Sequence, residues 1–350
     1  MSDLLSVGIL GATGTVGQKL VALLSGHPWF RVTALAASDR SRGRVFGDVV
    51  NWMETTPIPA WAAGLEIQAP TPSLPCDLVF SALAAEVAEE VEPLFVGAGV
   101  PVFSNARSFR MAPYVPLLIP EVNPDHMEIL RDKPPEEGFI VANPNCSTTG
   151  LALALSPIHR HFGVRRVSVT TLQAISGAGY PGVPAPDISG NVIPLIHGEE
   201  EKLESEPLRI LGTRVESEIR PASMTISAQA NRVPVLDGHT LSVSVELEKE
   251  VEAEKLVEAW RSFTNPHSDL NLPSAPDHPV HLFQEGAFPQ PRIHSLLGGG
   301  MTVGIGRLRR CPVLGFRFVA LVHNTIRGAA GGSLLNAELL KGKGFLHSLT

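Results

Sequence analysis

Through the N-terminal part of the chain, apolar runs of strand length alternate with apolar residues at helical spacing. Leu4 to Leu10 reads as a buried strand. A glycine-rich turn, Gly11-Ala12-Thr13-Gly14-Thr15-Val16-Gly17, follows it, and then a helical pattern over Gln18 to Leu24. Phe30 to Ala37, Asp77 to Ala82, Val100 to Ser104 and Gly138 to Ala142 read as further strands. Helices are predicted from about Ala85 to Val96 and again from Leu151. Such alternation builds a parallel sheet with right-handed crossovers. Residues 1–145 are therefore expected to form an α/β, Rossmann-like domain. Pro124 to Glu137, ending in Lys133-Pro134-Pro135-Glu136-Glu137, reads as a surface excursion.

Beyond Cys146 the pattern changes. Val167 to Ala174 alternates as a half-buried strand. Ser223 to Val233, Thr240 to Leu247, Thr302 to Arg310 and Gly315 to His323 also read as strands, the last two as antiparallel neighbours. Asp237-Gly238 is a strong turn signal. Ser176 to Gly182 is a loop rich in glycine and proline, and Pro273 to Arg292 is a proline-rich loop. Gly198 to Glu206 reads as a charged helix, most of whose residues belong to a solvated face. Val251 to Phe263 and Ser333 to Leu340 are helical. Strands dominate from Val167 to His323, so residues 146–324 are expected to form an α+β domain with a mixed or antiparallel sheet.

Composition agrees with two filled domains: 350 residues, 44% hydrophobic and 18% charged. The net charge of −7, without a long basic run, argues against nucleic acid or an anionic membrane as partner. Three cysteines, Cys76, Cys146 and Cys311, lack paired spacing. They suggest a reducing compartment and no cysteine metal knuckle. No signal-peptide pattern and no bilayer-length apolar run occur, so the expected location is the cytoplasm.

The candidate chemistry centres on Asn143-Pro144-Asn145-Cys146-Ser147-Thr148-Thr149-Gly150. A strand runs in and a helix runs out, which puts a thiol at a helix start. Bare amides and the helix dipole favour an anion there, and such a setting lowers a thiol pKa. Ser147, Thr148 and Thr149 can cap the helix. A buried, inert cysteine is the bland alternative. The glycine turn between strand and helix suits a dinucleotide pyrophosphate, held by Gly11, Thr13, Gly14, Thr15 and Val16. Ser38, Arg40 and Ser41, after the second strand, suit the 2′-phosphate of NADP, although Asp39 among them would repel it. Ser81 ends a strand where ligands sit in such sheets. A nicotinamide domain followed by a nucleophilic thiol suggests aldehyde chemistry through a thioester. His239, on the turn after Asp237-Gly238, is a candidate acid or base. Arg232 is a candidate carboxylate clamp, and Arg107 and Arg110 share a loop where either could hold an anion.

Five stretches carry a resemblance: Gly11 to Gly17, Pro144 to Thr148, Gln173 to Gly179, Gly198 to Lys202, and Asn231-Arg232-Val233-Pro234 through Gly238-His239-Thr240. In this order they resemble aspartate-semialdehyde dehydrogenase, in the branch typical of archaea and fungi, over nearly the whole length. The resemblance implies reversible, NADP-dependent reductive dephosphorylation of L-4-aspartyl phosphate in lysine (diaminopimelate), threonine and methionine synthesis. It implies Cys146 as nucleophile and His239 as acid/base partner. Gln173 would orient the intermediate. Arg232 would hold the substrate carboxylate, Glu199 its amine, and Lys202 and Arg110 the phosphate. Ser176, Gly177 and Asn324 would meet the nicotinamide half of the cofactor. The second domain would be catalytic and dimerising, in a homodimer or homotetramer, and the helix in 325–350 would return to the first domain. Malonyl-CoA reductases, which resemble the same branch, are the rival reading; Glu199, a partner for an amine, favours the aminated substrate.

Overall fold

A computed structural model describes residues 4–132, 134 and 137–348. Of the expected excursion, Lys133, Pro135 and Glu136 lie outside the described residues. So do Met1, Ser2 and Asp3, and at the other end Leu349 and Thr350. The rest of the excursion differs from the expectation. Pro124–Asp132 forms a 3-10 helix that buries His126, Met127, Ile129 and Leu130.

In chain order the first part contains β1 (Leu5–Leu10), α1 (Thr15–Leu23), β2 (Phe30–Ala36), α2 (Phe46–Val49), α3 (Ala60–Ala63) and β3 (Ile67–Gln68). β4 (Leu78–Ser81), α4 (Ala85–Gly97), β5 (Val102–Ser104) and β6 (Ile140–Ala142) complete it. The sheet order is β3-β2-β1-β4-β5-β6, with every pair parallel. The two-residue β3 is too short to leave a periodic signal. The order reverses between β1 and β4, and the crevice above that switch is where α/β sheets bind ligands.

Next come α5 (Cys146–Phe162), β7 (Val164–Gln173), α6 (Ala185–Ile188), α7 (Glu199–Ile210) and the small pair β8 (Thr213–Val215) and β9 (Glu218–Arg220). β10 (Thr225–Arg232), β11 (His239–Leu247), α8 (Ala253–Arg261), β12 (Val280–Leu282), α9 (Pro291–His294), β13 (Val303–Cys311), β14 (Gly315–Val322) and α10 (Gly331–Gly342) follow. The second sheet runs β10-β7-β11-β14-β13-β12. It is mixed: β10 pairs parallel with β7 and β12 with β13, while the other pairs are antiparallel. Asp237-Gly238 does turn the chain, but not into a hairpin, because β7 lies between β10 and β11. The linking loop instead bonds to the chain leaving β7, Val233 N to Gln173 O at 3.0 Å and Ile175 N to Val235 O at 2.8 Å. The proline-rich loop contains β12, whose three residues escaped the pattern.

The pleat of the first sheet sorts its residues between two cores. Val7, Ile9, Phe80, Phe103 and Val141 face a core shared with Leu334, Leu335, Leu339 and Leu340 of α10. Val79, Val102 and Ile140 face a second core, which continues through Leu151, Leu153 and Leu155 of α5 to Val169, Val243 and Phe318 of the second sheet. α5 is therefore buried nearly all round, as its apolar composition requires.

The charged helix is not a solvated face. Glu199, Leu203, Glu206 and Arg209 of α7 are buried. Glu200 and Glu204 accept the amides of Ala230 and Ala228 at 2.9 and 3.0 Å. Four residues of helix and two of strand both span roughly 6–7 Å. The carboxylates thus meet alternate amides on the open edge of β10 and close it.

Between α5 and α10, Arg327 forms a fully buried, two-pronged pair with Glu121, Nη1 to Oε1 at 2.9 Å and Nη2 to Oε2 at 2.6 Å. It anchors the turn Ile326–Ala330, which passes behind the thiol. Glu121→Ala strands the guanidinium in the interior. It should cost about 3–5 kcal/mol, read as a lower denaturation midpoint; an unchanged midpoint would contradict this role.

Candidate functional site

The mixed sheet explains why residues distant in sequence converge. Parallel β7 and β10 end at the same edge, placing Gln173 beside Arg232 in register. Antiparallel β11 starts at that edge, placing His239 next to them. α5 begins against this edge with Cys146 as its first residue. Gly328 backs the thiol: a Cβ there would lie 2.5 Å from Cys146 Cβ, so this close approach requires glycine.

The helix cap differs from the expectation. Asn145, not the Ser-Thr-Thr run, caps α5: its Oδ1 accepts the amides of Ser147 at 3.0 Å and Thr148 at 3.2 Å. The three hydroxyls already lie inside the first turn: Thr149 Oγ1 donates to Asn145 O at 3.0 Å, while Ser147 Oγ and Thr148 Oγ1 are buried without a partner among the described residues. Asn145 Nδ2 donates to both oxygens of Glu199 at 3.0 Å, and its main-chain N–H donates to Glu206 Oε2 at 2.8 Å. Two carboxylates of α7 therefore hold the residue before the thiol. An Asn directly before a helical run was the readable signal for this cap. Glu206 was hidden in the charged run.

Glu199 also accepts Lys202 Nζ at 2.7 Å and Gln173 Nε2 at 3.2 Å. Burial by itself would raise its pKa. Lys202, Gln173 and Asn145 together outweigh burial and hold it below the usual carboxylate value. Arg110 is buried, with Nη1 on Glu206 Oε1 at 2.9 Å and Nη2 on Asn105 O at 2.9 Å. Its charge acts on Cys146 while its fork is held by these partners. Arg107, its loop neighbour, is exposed. Arg232 is buried and donates Nη1 to Ala174 O at 2.7 Å. Burial lowers its pKa, and the neighbouring Cys146 and Glu199 oppose that.

The thiol itself corrects the sequence reading. Its pKa is not lowered by the helix start. Burial, then the negative charge of Glu199, push it up to about 12, against the pull of Arg110, the Ser147 amide and Lys202. His239 is fully buried, and burial followed by Arg232 drives it down to about 3, with Glu199 opposing and His323 adding to the fall. Thiol and imidazole are thus both neutral across the physiological range.

A cleft of about 400 Å³ lies between the two sheets, lined among others by Thr15, Lys19, Ser176, Leu236, His323 and Thr325. It brings together the first glycine turn and the loop after β7. Gly11 adopts φ +77°, and a Cβ there would approach Ala82 O to 2.6 Å. Gly14 caps α1 without a side-chain bond, and Thr15 Oγ1 is buried without a partner among the described residues. Bare first-turn amides, an unpaired hydroxyl and an uncluttered turn fit a dinucleotide phosphate. Thr13 and Val16, both half-buried, complete that turn. Ser81 ends β4, with its hydroxyl buried. Asn324 Nδ2 donates to Ser176 Oγ at 2.7 Å, and its Oδ1 accepts Gly238 N at 2.9 Å. Gly177 packs against Arg232 and His239. Ser38, Asp39 and Arg40 are exposed on the turn after β2, closed by Ser41 N to Ser38 O at 2.9 Å. These four do not line the cleft. Lys19 and Glu54, paired at 2.5 Å across its wall, carried no signal in the sequence.

Residues 6–130 match the family of semialdehyde dehydrogenase NAD-binding domains, and residues 155–327 the family of semialdehyde dehydrogenase dimerisation domains. Aspartate-semialdehyde dehydrogenase of Archaeoglobus fulgidus is 47% identical over 96% of this chain and 97% of its own. That of Cryptococcus neoformans is 42% identical over 98% of each. The crystal structure of aspartate-semialdehyde dehydrogenase with NADP from Candida albicans superposes with a TM-score of 0.92 at 40% identity, covering 98% of this chain and 100% of that one.

The charge balance at the thiol is testable by alkylation. Well below the thiol pKa, the rate should rise about tenfold per pH unit through neutrality. Glu199→Gln removes the negative neighbour and should speed alkylation at fixed pH; a slower or equal rate would refute the arrangement.

Proposed function

Since the chain belongs to the aspartate-semialdehyde dehydrogenase family, we propose that it reduces L-4-aspartyl phosphate to L-aspartate 4-semialdehyde, reversibly, through a thioester on Cys146. The observation that carries this reading is the cluster around the thiol. One buried carboxylate, Glu199, and one buried guanidinium, Arg232, both act on Cys146. That pairing suits a substrate with an α-ammonium and an α-carboxylate at one end and an activated carbonyl at the other. Arg232 binds the carboxylate and Glu199 the ammonium. Gln173, beside both, orients the acyl group. Lys202, with Arg110 behind it, meets the phosphate. Their local field outweighs a distant net charge of −7. His239 handles the proton at the carbonyl oxygen.

NADPH, when bound, supplies the hydride. The turn from Gly11 to Val16 holds its pyrophosphate, Ser38, Arg40 and Ser41 its 2′-phosphate, and Ser81, Ser176, Gly177 and Asn324 its nicotinamide half. Asp39 is exposed, so water screens its charge from that phosphate. The first domain, 1–145 with the helix from 325–350, binds the cofactor; the second, 146–324, carries the chemistry and the contacts of a homodimer or homotetramer. The enzyme works in the cytoplasm, in the synthesis of lysine, threonine and methionine.

Aspartate semialdehyde with NADP should give phosphate-dependent cofactor reduction, and Cys146→Ser should abolish it. Activity confined to malonyl-CoA would overturn the substrate. Arg232→Lys keeps the charge but loses the planar fork, and should raise KM for the semialdehyde roughly tenfold to a hundredfold. An unchanged KM would remove Arg232 from the substrate site.

A further inference from the structure

His239 has no surface exposure, and its two ring nitrogens have different surroundings. Nδ1 lies 3.0 Å from the main-chain nitrogen of Ala174. An amide nitrogen only donates, so Nδ1 must present a lone pair to it. The opposite ring flip would set a carbon against that amide and lose the bond. A neutral imidazole with a bare Nδ1 carries its one proton on Nε2. Nε2 is buried and has no partner among the described residues. It borders the substrate side: a Cβ placed on Gly177 would lie 3.2 Å from Nε2 and 3.1 Å from Arg232 Nη1.

To act as the base for the thiol, the ring would need a bare Nε2, and hence its proton on Nδ1. That proton would point at the N–H of Ala174. An imidazolium meets the same conflict, with Arg232 adding a like charge nearby. His323, also neutral, adds nothing to stabilise a second proton. Among the described residues Glu199 is the one negative group acting on the ring, and it is already engaged with Lys202, Gln173 and Asn145. The Gln173–Ala174 peptide that carries this N–H cannot easily turn away, because its carbonyl, Gln173 O, accepts Val233 N at 3.0 Å.

We propose that the Ala174 amide locks His239 as the Nε2–H tautomer, so that the imidazole donates to the substrate carbonyl oxygen and is not the base that deprotonates Cys146. The substrate in this statement rests on the function proposed above; the tautomer does not. In acylation the C–S bond forms and the C–O bond to phosphate breaks, its electron pair leaving with the phosphate. The thiol proton goes to that departing oxygen. Thiol plus acyl phosphate dianion thus become thioester plus hydrogen phosphate dianion, with no change of oxidation state. Ala174 is a positioning residue, acting through its main chain alone.

The test is nitrogen NMR of the whole enzyme labelled with ¹⁵N-histidine, the His239 signals being assigned by their loss in His239→Gln. From about pH 6 to about pH 9, His239 should show a protonated Nε2 and a bare Nδ1, without titrating. A protonated Nδ1, or an imidazolium that titrates in that window, overturns the proposal. The kinetic arm follows phosphate release from L-4-aspartyl phosphate in a single turnover. A glutamine amide can donate but cannot act as a base, so His239→Gln should acylate about tenfold or more faster than His239→Ala. Equal, strongly reduced rates in both variants would restore the base role. Failure of the wild-type enzyme to release phosphate would count against the substrate reading, while the spectrum would still decide the tautomer.

Discussion

A carboxylate buried beside a thiol can stay ionised only if several donors hold it, and that requirement at Glu199 shapes the site. The donors come from three places in the chain: Asn145 before α5, Gln173 at the end of β7, and Lys202 one turn along α7. Each has a second task. Asn145 caps the helix that carries Cys146. Gln173 sits in register with Arg232. Lys202 brings a cation to the same wall. Satisfying one charge therefore brings the Cys146 thiol, the Arg232 guanidinium and the Lys202 ammonium together.

The frame around that charge is made rigid by similar means. Glu206 links Arg110 to the Asn145 main chain, and Glu200 and Glu204 lock α7 onto the edge of β10. Behind the thiol, the Glu121–Arg327 pair holds the turn in which Gly328 touches Cys146. α7 is thus a helix whose acidic residues do structural work on both sides, and its high charge is a consequence of the contacts it makes. Burial has a consistent effect on the two central groups: the thiol is driven up and the imidazole down, so both remain uncharged.

Much of this was legible beforehand. The alternation in the first half sufficed for a parallel sheet, and the sequence around Gly11 to Gly17 sufficed for the strand, glycine turn and helix found there, because these are local patterns with local causes. Strand pairing was less legible. Asp237-Gly238 signalled a turn correctly, yet nothing local says that β7 separates the strands on either side. The charged run from Glu199 misled, since a carboxylate that accepts buried amides has the same composition as one in water. The pKa of Cys146 misled for a related reason: a helix start lowers a thiol pKa only when desolvation is smaller than the field, and desolvation depends on what packs above.

The sequence by itself determined most of the element types and the change from an alternating α/β pattern to a strand-rich one, because periodicity and turn residues are properties of short stretches. Only the tertiary structure decided which ends of β7, β10 and β11 share an edge, which donors surround Glu199, and which nitrogen of His239 faces an amide. Those follow from strand register and burial, and both are set by contacts between residues far apart along the chain.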